Sequence, residues 1–286
     1  VDICKAFAAA FIGDSEKIQY RPLTAAERFT AIKTGEIDLL SRNTTFTLSR
    51  DSSGGNGLTF APVVFYDGQG LMVKKDSKIS NLEDLANKSI CVGSGTTTEQ
   101  NINDAFDSAS LPYTPIKYQD LNQVVAGYLQ GRCSAMTSDR SQLAAARSGF
   151  QNPKEHIILN DVLSKEPLAP ASDGQDQKLA DAMRWIVFSL ISAEEQGITK
   201  SNIYEKVRIA KNNPQLKPLR RFLGIDGGLG EKIGLTNDFV VKVISSTGNY
   251  GEIYEKHLGQ DSNVPIPRGQ NELYKKGGVH ISPPFN

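Results

Sequence analysis

Between residues 41 and 50 the chain runs Ser41-Arg42-Asn43-Thr44-Thr45-Phe46-Thr47-Leu48-Ser49-Arg50, a cluster of hydroxyls and amides closed by a guanidinium. Asn43, Thr44 and Thr45 offer side-chain and backbone hydrogen-bonding groups, and Arg50 offers five N–H donors in a planar fork that matches a carboxylate two at a time. A free amino acid presents such a carboxylate. The plainer alternative is a solvated loop carrying a surface arginine. Just upstream, Ile37-Asp38-Leu39-Leu40 follows Gly35 and reads as a short buried strand after a helix, so the polar stretch forms a ledge at a strand end.

A second ledge has the same build. A helical stripe through Leu121, Val124, Val125, Tyr128 and Leu129 ends at Gly131, Cys133-Ser134-Ala135-Met136 reads as a strand, and Thr137-Ser138-Asp139-Arg140 follows. In open α/β sheets the carboxyl ends of strands face the ligand crevice. Arg50 suits the carboxylate of a zwitterion and Asp139 its ammonium, although Asp139 in that position also suits a helix N-cap. Between the ledges, strand Ser89-Ile90-Cys91-Val92 leads through the small-residue turn Gly93-Ser94-Gly95-Thr96-Thr97-Thr98-Glu99 into a helix reaching about Phe106. Glycine there admits a ligand to the backbone, and N–H groups at a helix start stabilise an anion. The turn lacks the lysine of a phosphate loop and the spacing of Gly-x-Gly-x-x-Gly, so it also reads as an ordinary strand-to-helix turn.

The elements around these ledges alternate helix and strand. Asp2 is a plausible N-cap for a first helix with Ile3, Phe7, Ala10 and Phe11 on one stripe, Lys17-Ile18-Gln19-Tyr20 reads as a strand, and Thr24-Ala25-Ala26-Glu27 is a capping box before a helix burying Phe29 and Ile32. Ser80-Asn81-Leu82-Glu83 is a second box. Phe60–Tyr66 and Gly70–Lys74 read as extended segments broken by Asp67-Gly68-Gln69-Gly70, fitting either a crossing between lobes or a hairpin. Ser164–Pro170 is extended and stiffened by proline. The rest is helical, with a stripe through Leu179, Met183, Ile186, Val187 and Leu190, and Trp185 reads as core.

Composition narrows the function. With 286 residues there is length for about two domains, and with 32 basic against 32 acidic residues there is no surplus of positive charge to hold nucleic acid. The apolar run Trp185–Ile191 is far shorter than the roughly 20 residues of a membrane span, and no basic-then-apolar leader opens the chain. Cys4, Cys91 and Cys133 are too dispersed for zinc, and His156, His257 and His280 are isolated, so no metal or cofactor is expected. Cys91 and Cys133 can pair if their strands are neighbours, which would imply an oxidising compartment; Cys4 is then left over.

These stretches, with Phe65-Tyr66-Asp67-Gly68-Gln69-Gly70, resemble the periplasmic substrate-binding proteins of polar and general L-amino-acid ABC transporters. Gly248-Asn249-Tyr250-Gly251-Glu252-Ile253-Tyr254 and the closing Gly277-Gly278 to Pro283-Pro284 are similar to the general L-amino-acid subgroup, so the resemblance spans the chain. It implies a two-lobed α/β fold of the type II periplasmic-binding-protein kind, with two crossings and a helical C-terminal extension: residues 1–68 the first part of lobe 1, 69–158 lobe 2, and 159–286 the return to lobe 1 plus the extension. It implies Arg50 on the α-carboxylate with Thr45 and Thr97, Asp139 on the α-ammonium with Asn43 or Thr44, Gly95, Thr96 and Thr98 at the second-lobe wall, and Tyr66 at the crossing. Family members carry a strand and loop ahead of the first helix, which the resemblance does not find here, so the expectation is either a truncated sequence or an incomplete pocket; in the family the counterpart of Cys4 can pair with a cysteine in that strand. The expected protein is a monomeric periplasmic receptor without catalysis that hands amino acids to a permease. An enzyme on the same scaffold, such as a small-acid dehydratase, would need a proton-transfer group for which Glu99 is the spare carboxylate; a sensory module is the third reading.

Overall fold

The computed structural model describes all residues, Val1–Asn286, and they gather into two compact units. Unit 1 comprises Val1–Arg21, Asp38–Val64 and Ala169–Asn286, and unit 2 comprises Pro22–Ile37 and Phe65–Leu168. These bounds differ from the expected breaks after residues 68 and 158, and residues 22–37 join unit 2. The cause lies in one strand. Phe65–Lys74 (β2) is continuous through Asp67-Gly68-Gln69-Gly70, neither broken nor folded into a hairpin. Residues 65–68 pair antiparallel with Lys165–Leu168 (β7), and residues 69–73 pair with Ala135–Asp139 (β5), so the ladder changes partner between Gly68 and Gln69.

In unit 2 the sheet order is β4-β3-β5-β2-β6, with Ser89–Gly93 (β3), Thr114–Tyr118 (β4) and His156–Ile158 (β6); β3 runs parallel to β4 and β5. Strands buried on both faces separate two cores. Leu71, Val73, Ile90, Val92 and Ala135 pack on one face with Ile102 and Phe106 of Thr97–Ser108 (α4). Met72, Cys91 and Met136 pack on the other with Val124 and Tyr128 of Leu121–Leu129 (α5) and Leu143 of Arg140–Ser148 (α6). Cys91 and Cys133 are bonded as a disulfide, with Cα atoms 5.6 Å apart. The expected box at Thr24 is present: Thr24 N–H donates to Glu27 and Glu27 N–H to Thr24 Oγ1, ahead of Arg28–Lys33 (α2). The one at Ser80 is not. There Ser80 N–H donates to Asp84, and only a single 3₁₀ turn, Glu83–Leu85, forms before Asn87 adopts a positive φ of 61°.

Unit 1 is mostly helical. Asp2–Ile12 (α1) buries Ala6–Ala10 against Phe239–Thr247 (α11) and the long helix Gln177–Glu195 (α7), while Phe11 is exposed. Val1, not Asp2, holds the N-cap position; the Asp2 carboxylate instead accepts from Lys256 and pairs with His257, at 2.8 Å each, on Tyr250–Leu258 (α12). Leu58–Phe60 (β1) pairs with Ala171–Asp173 (β8), and Leu40 bridges Ala171. Ile37–Leu40 thus contributes a bridge rather than a strand, and Lys17–Tyr20 makes no ladder, because an extended segment is a strand only where a neighbour pairs with it. Leu48–Asp51 (α3), Ile203–Asn212 (α8), Lys217–Phe222 (α9) and Leu229–Lys232 (α10) complete the helices. Arg268 clasps the C-terminal region: its guanidinium donates to both Glu194 oxygens, at 2.6 and 3.1 Å, and lies over the rings of Tyr250 and Tyr254.

His280 is 2% exposed with its ring centroid 4.4 Å from that of Tyr250. Burial, aided by the positive charge of Arg268, pulls its pKa from 6.5 to about 4. Between those values the unfolded chain takes up a proton that the folded chain refuses, so stability falls as pH drops through the window, by on the order of 3 kcal/mol in all. Urea titrations from pH 7 to pH 4.5 are expected to show a shallower loss in His280→Asn than in the wild type; equal slopes would refute this.

Candidate ligand-binding site

The residues singled out in the sequence fall into one group in each unit. In unit 1, Thr44, Thr45 and Arg50 are buried and Asn43 is half-buried. Thr47 is the N-cap of α3 and accepts from Arg50 N–H, which starts a single turn that turns the Arg50 side chain inward. Its Nη1 donates to Thr45 O at 2.8 Å, a buried bond that fixes the plane of the fork. Thr44 O accepts from Ala169 N–H, which anchors the ledge to the chain entering β8. A buried, oriented guanidinium flanked by hydroxyls is chemistry suited to an anion, and the surface-arginine alternative does not survive a 6% exposure.

In unit 2 the small-residue turn opens α4 with a cap. Thr96 Oγ1 accepts from Glu99 N–H and donates to Gly93 O, so that hydroxyl closes the helix start. Gly95, at φ 71°, has a backbone only glycine adopts readily, and its N–H donates to Glu99. Against a desolvation penalty, Lys117 and that N–H hold the Glu99 carboxyl below the usual range. The carboxylate that an enzymatic reading needed is therefore part of a helix cap and an ion pair. Thr98 is buried, and Thr97 Oγ1 donates to Glu166.

Asp139 ends β5, is 4% exposed, and occupies the N-cap position of α6 without a side-chain capping bond. Tyr66 lies on β2 opposite Pro167, half-buried, with burial raising its phenol pKa.

Two carboxylates beside these residues were not found in the sequence. Glu166 on β7, 1% exposed, accepts from Thr97, from Asn101 at 2.8 Å and from Ser164 at 2.5 Å. The signal available in the sequence was the two-residue spacing of Glu166 and Leu168, which in a strand puts Glu166 on the same face as an apolar side chain, and both are buried. Asp67 on β2 faces Glu166 across the ladder and accepts from Gly68 and Ser141 N–H. Burial raises its pKa, opposed by the bonds from Ser141 and Gly68 and by Arg140.

No metal-holding group of His, Cys, Asp or Glu occurs, and no helix is long and apolar enough to cross a membrane.

A family model described as bacterial extracellular solute-binding proteins, family 3, matches residues 1–260. The chain is 47% identical over 286 residues to the general L-amino acid-binding periplasmic protein AapJ of Rhizobium johnstonii, covering 99% of this chain and 82% of that one. It is 42% identical to the glutamate/glutamine/aspartate/asparagine-binding protein BztA of Rhodobacter capsulatus, covering 100% of this chain and 82% of that one. Among solved structures, an ABC transporter periplasmic binding protein from Brucella ovis with glutathione bound matches with TM-score 0.93 and 41% identity, covering 100% of this chain and 88% of that one.

Proposed function

Because the chain belongs to the bacterial extracellular solute-binding proteins of family 3, we propose that it is a periplasmic receptor that captures L-amino acids and delivers them to an ABC-transporter permease. The observation that carries the reading is the pairing of chemistries. A buried Arg50 lies among Thr44 and Thr45, and a buried, non-capping Asp139 lies at the end of β5. A zwitterion needs one cation and one anion, each desolvated and already oriented. Asn43 and Thr45 add acceptors and donors on the first side, and Thr97, Thr98 and Tyr66 on the second. The receptor acts as a monomer and performs no chemistry on its ligand.

The preferred side chain is open within this reading. The named ligands of the two relatives are amino acids, and glutathione carries at its glutamyl end the same α-amino and α-carboxylate pair. Thermal midpoints should be measured with each L-amino acid, its D-isomer and glutathione at millimolar concentration. Ligand at a hundredfold excess over Kd raises stability by about 2.7 kcal/mol. Shifts with several L-isomers and none with D-isomers are expected; no shift with any of them would reject the reading.

A further inference from the structure

Three consecutive threonines open α4, and each is bonded to a different strand of unit 2. Thr96 Oγ1 donates to Gly93 O at the end of β3, at 2.8 Å. Thr98 O accepts from Nε2 of the fully buried Gln69 on β2, at 3.0 Å. Thr97 Oγ1 donates to Oε2 of Glu166 on β7, at 3.1 Å.

Glu166 also reaches the next turn of the helix. Its Oε1 accepts from Asn101 Nδ2 at 2.8 Å and from Ser164 Oγ at 2.5 Å. Residues 97 and 101 are four apart, so they stand one above the other on one face of α4, and a single carboxylate spans both. Ser164 is held in its turn by the backbone beside it, where Leu163 N–H donates to Gln69 O at 2.9 Å.

Glu166 is 1% exposed. Burying a carboxylate costs more than burying an apolar side chain of similar size. What the carboxylate adds is directional: two oxygens hold donors from two turns of α4 and from the chain ahead of β7 in one arrangement. β7 ends at Leu168, the last residue of unit 2, so the strand by which the chain leaves the unit grips the start of the helix.

We propose that Glu166 is a positioning residue: through Thr97 and Asn101 it sets the first turn of α4 against β7, and with it the groups that this turn brings to the ligand. The inference rests on the amino-acid-receptor reading, in which Thr97 and Thr98 belong to the site. Glu166→Gln tests it with little change of volume, since one oxygen and an NH₂ then face the three donors that two oxygens held. Dissociation constants for L-glutamine, L-glutamate and L-arginine should be measured by calorimetry, and by NMR titration for weak variants. We expect Glu166→Gln to weaken binding by about tenfold or more, because small displacements of a binding group are costly. In a Thr97→Val background, where the tie is already cut, the Glu166→Gln effect should shrink below about threefold, a non-additivity that general loosening of the fold does not produce. Binding by Glu166→Gln within about twofold of wild type, or equal losses in both backgrounds, overturns the inference alone. No wild-type binding of any probe overturns the receptor reading, and this inference with it. Should Glu166→Gln fail to unfold cooperatively in urea, Asn101→Ala, which removes a donor from the same carboxylate, takes its place in the cycle and is judged by the same outcomes.

Discussion

Replacing Arg50 with alanine is expected to weaken L-amino-acid binding by about 2–5 kcal/mol, roughly thirtyfold to several thousandfold in Kd. The size follows from burial. At 6% exposure the guanidinium has little water to lose when a carboxylate arrives, and in its absence the carboxylate is desolvated against Thr44 and Thr45 with no counter-charge. Arg50→Lys should fall in between, because an ammonium restores charge without the planar fork. The unliganded variant also loses the bond to Thr45 O, worth about 1 kcal/mol, so its stability is measured beside its affinity. Calorimetric titration of the three proteins separates these effects, and an alanine variant within about twofold of wild type would remove Arg50 from the site.

Removing the Cys91–Cys133 disulfide should cost unit 2 about 4 kcal/mol. The bridge spans 42 residues of sequence, and closing a loop of that length removes about this much unfolded-state freedom in the chain-entropy account. A cavity adds to it in the Cys91→Ala/Cys133→Ala variant, since both residues are buried among Met72, Val124, Tyr128 and Leu143. Trp185 belongs to unit 1, so its fluorescence is a poor monitor of this change. Amide exchange in β3 and β5 reads it directly, and protection within about 1 kcal/mol of wild type would contradict the expectation. Ligand affinity should change little, because Cys91 packs on the sheet face opposite to the one shared by Gln69 and Asp139.

The parts of this molecule that could be read from the sequence are those that local chemistry decides. The stripe of α5, the cap of α2 and the small-residue turn into α4 depend on residues within four positions of one another, and each is present. Where the outcome depends on a distant partner the sequence decided less: Cys91 and Cys133 do pair across 42 residues, but two strand readings failed. Lys17–Tyr20 has strand-like composition and no ladder, and Asp67-Gly68-Gln69-Gly70 has the composition of a break yet stays extended because β7 and β5 pair with it from almost 100 and 70 residues away. The same limit applies at the site. Arg50 and Asp139 were singled out in the sequence by their charge after runs read as strands, whereas Glu166 and Asp67 have partners that only the fold brings near, Thr97 and Ser141. Asp139 could be placed at a helix start from sequence, but that another carboxylate does its capping could not.

The one-turn helix α3 has two opposite exposures two residues apart: Arg50 is 6% exposed and Leu48 is 85% exposed. That contrast makes α3 a natural optical handle. An environment-sensitive dye on Leu48→Cys would sit in water next to the turn that orients the guanidinium, displacing no buried side chain. With Cys91 and Cys133 already bonded, Cys4 is the one native thiol to replace before labelling. The same turn that holds the proposed ligand would then report its arrival as a colour change.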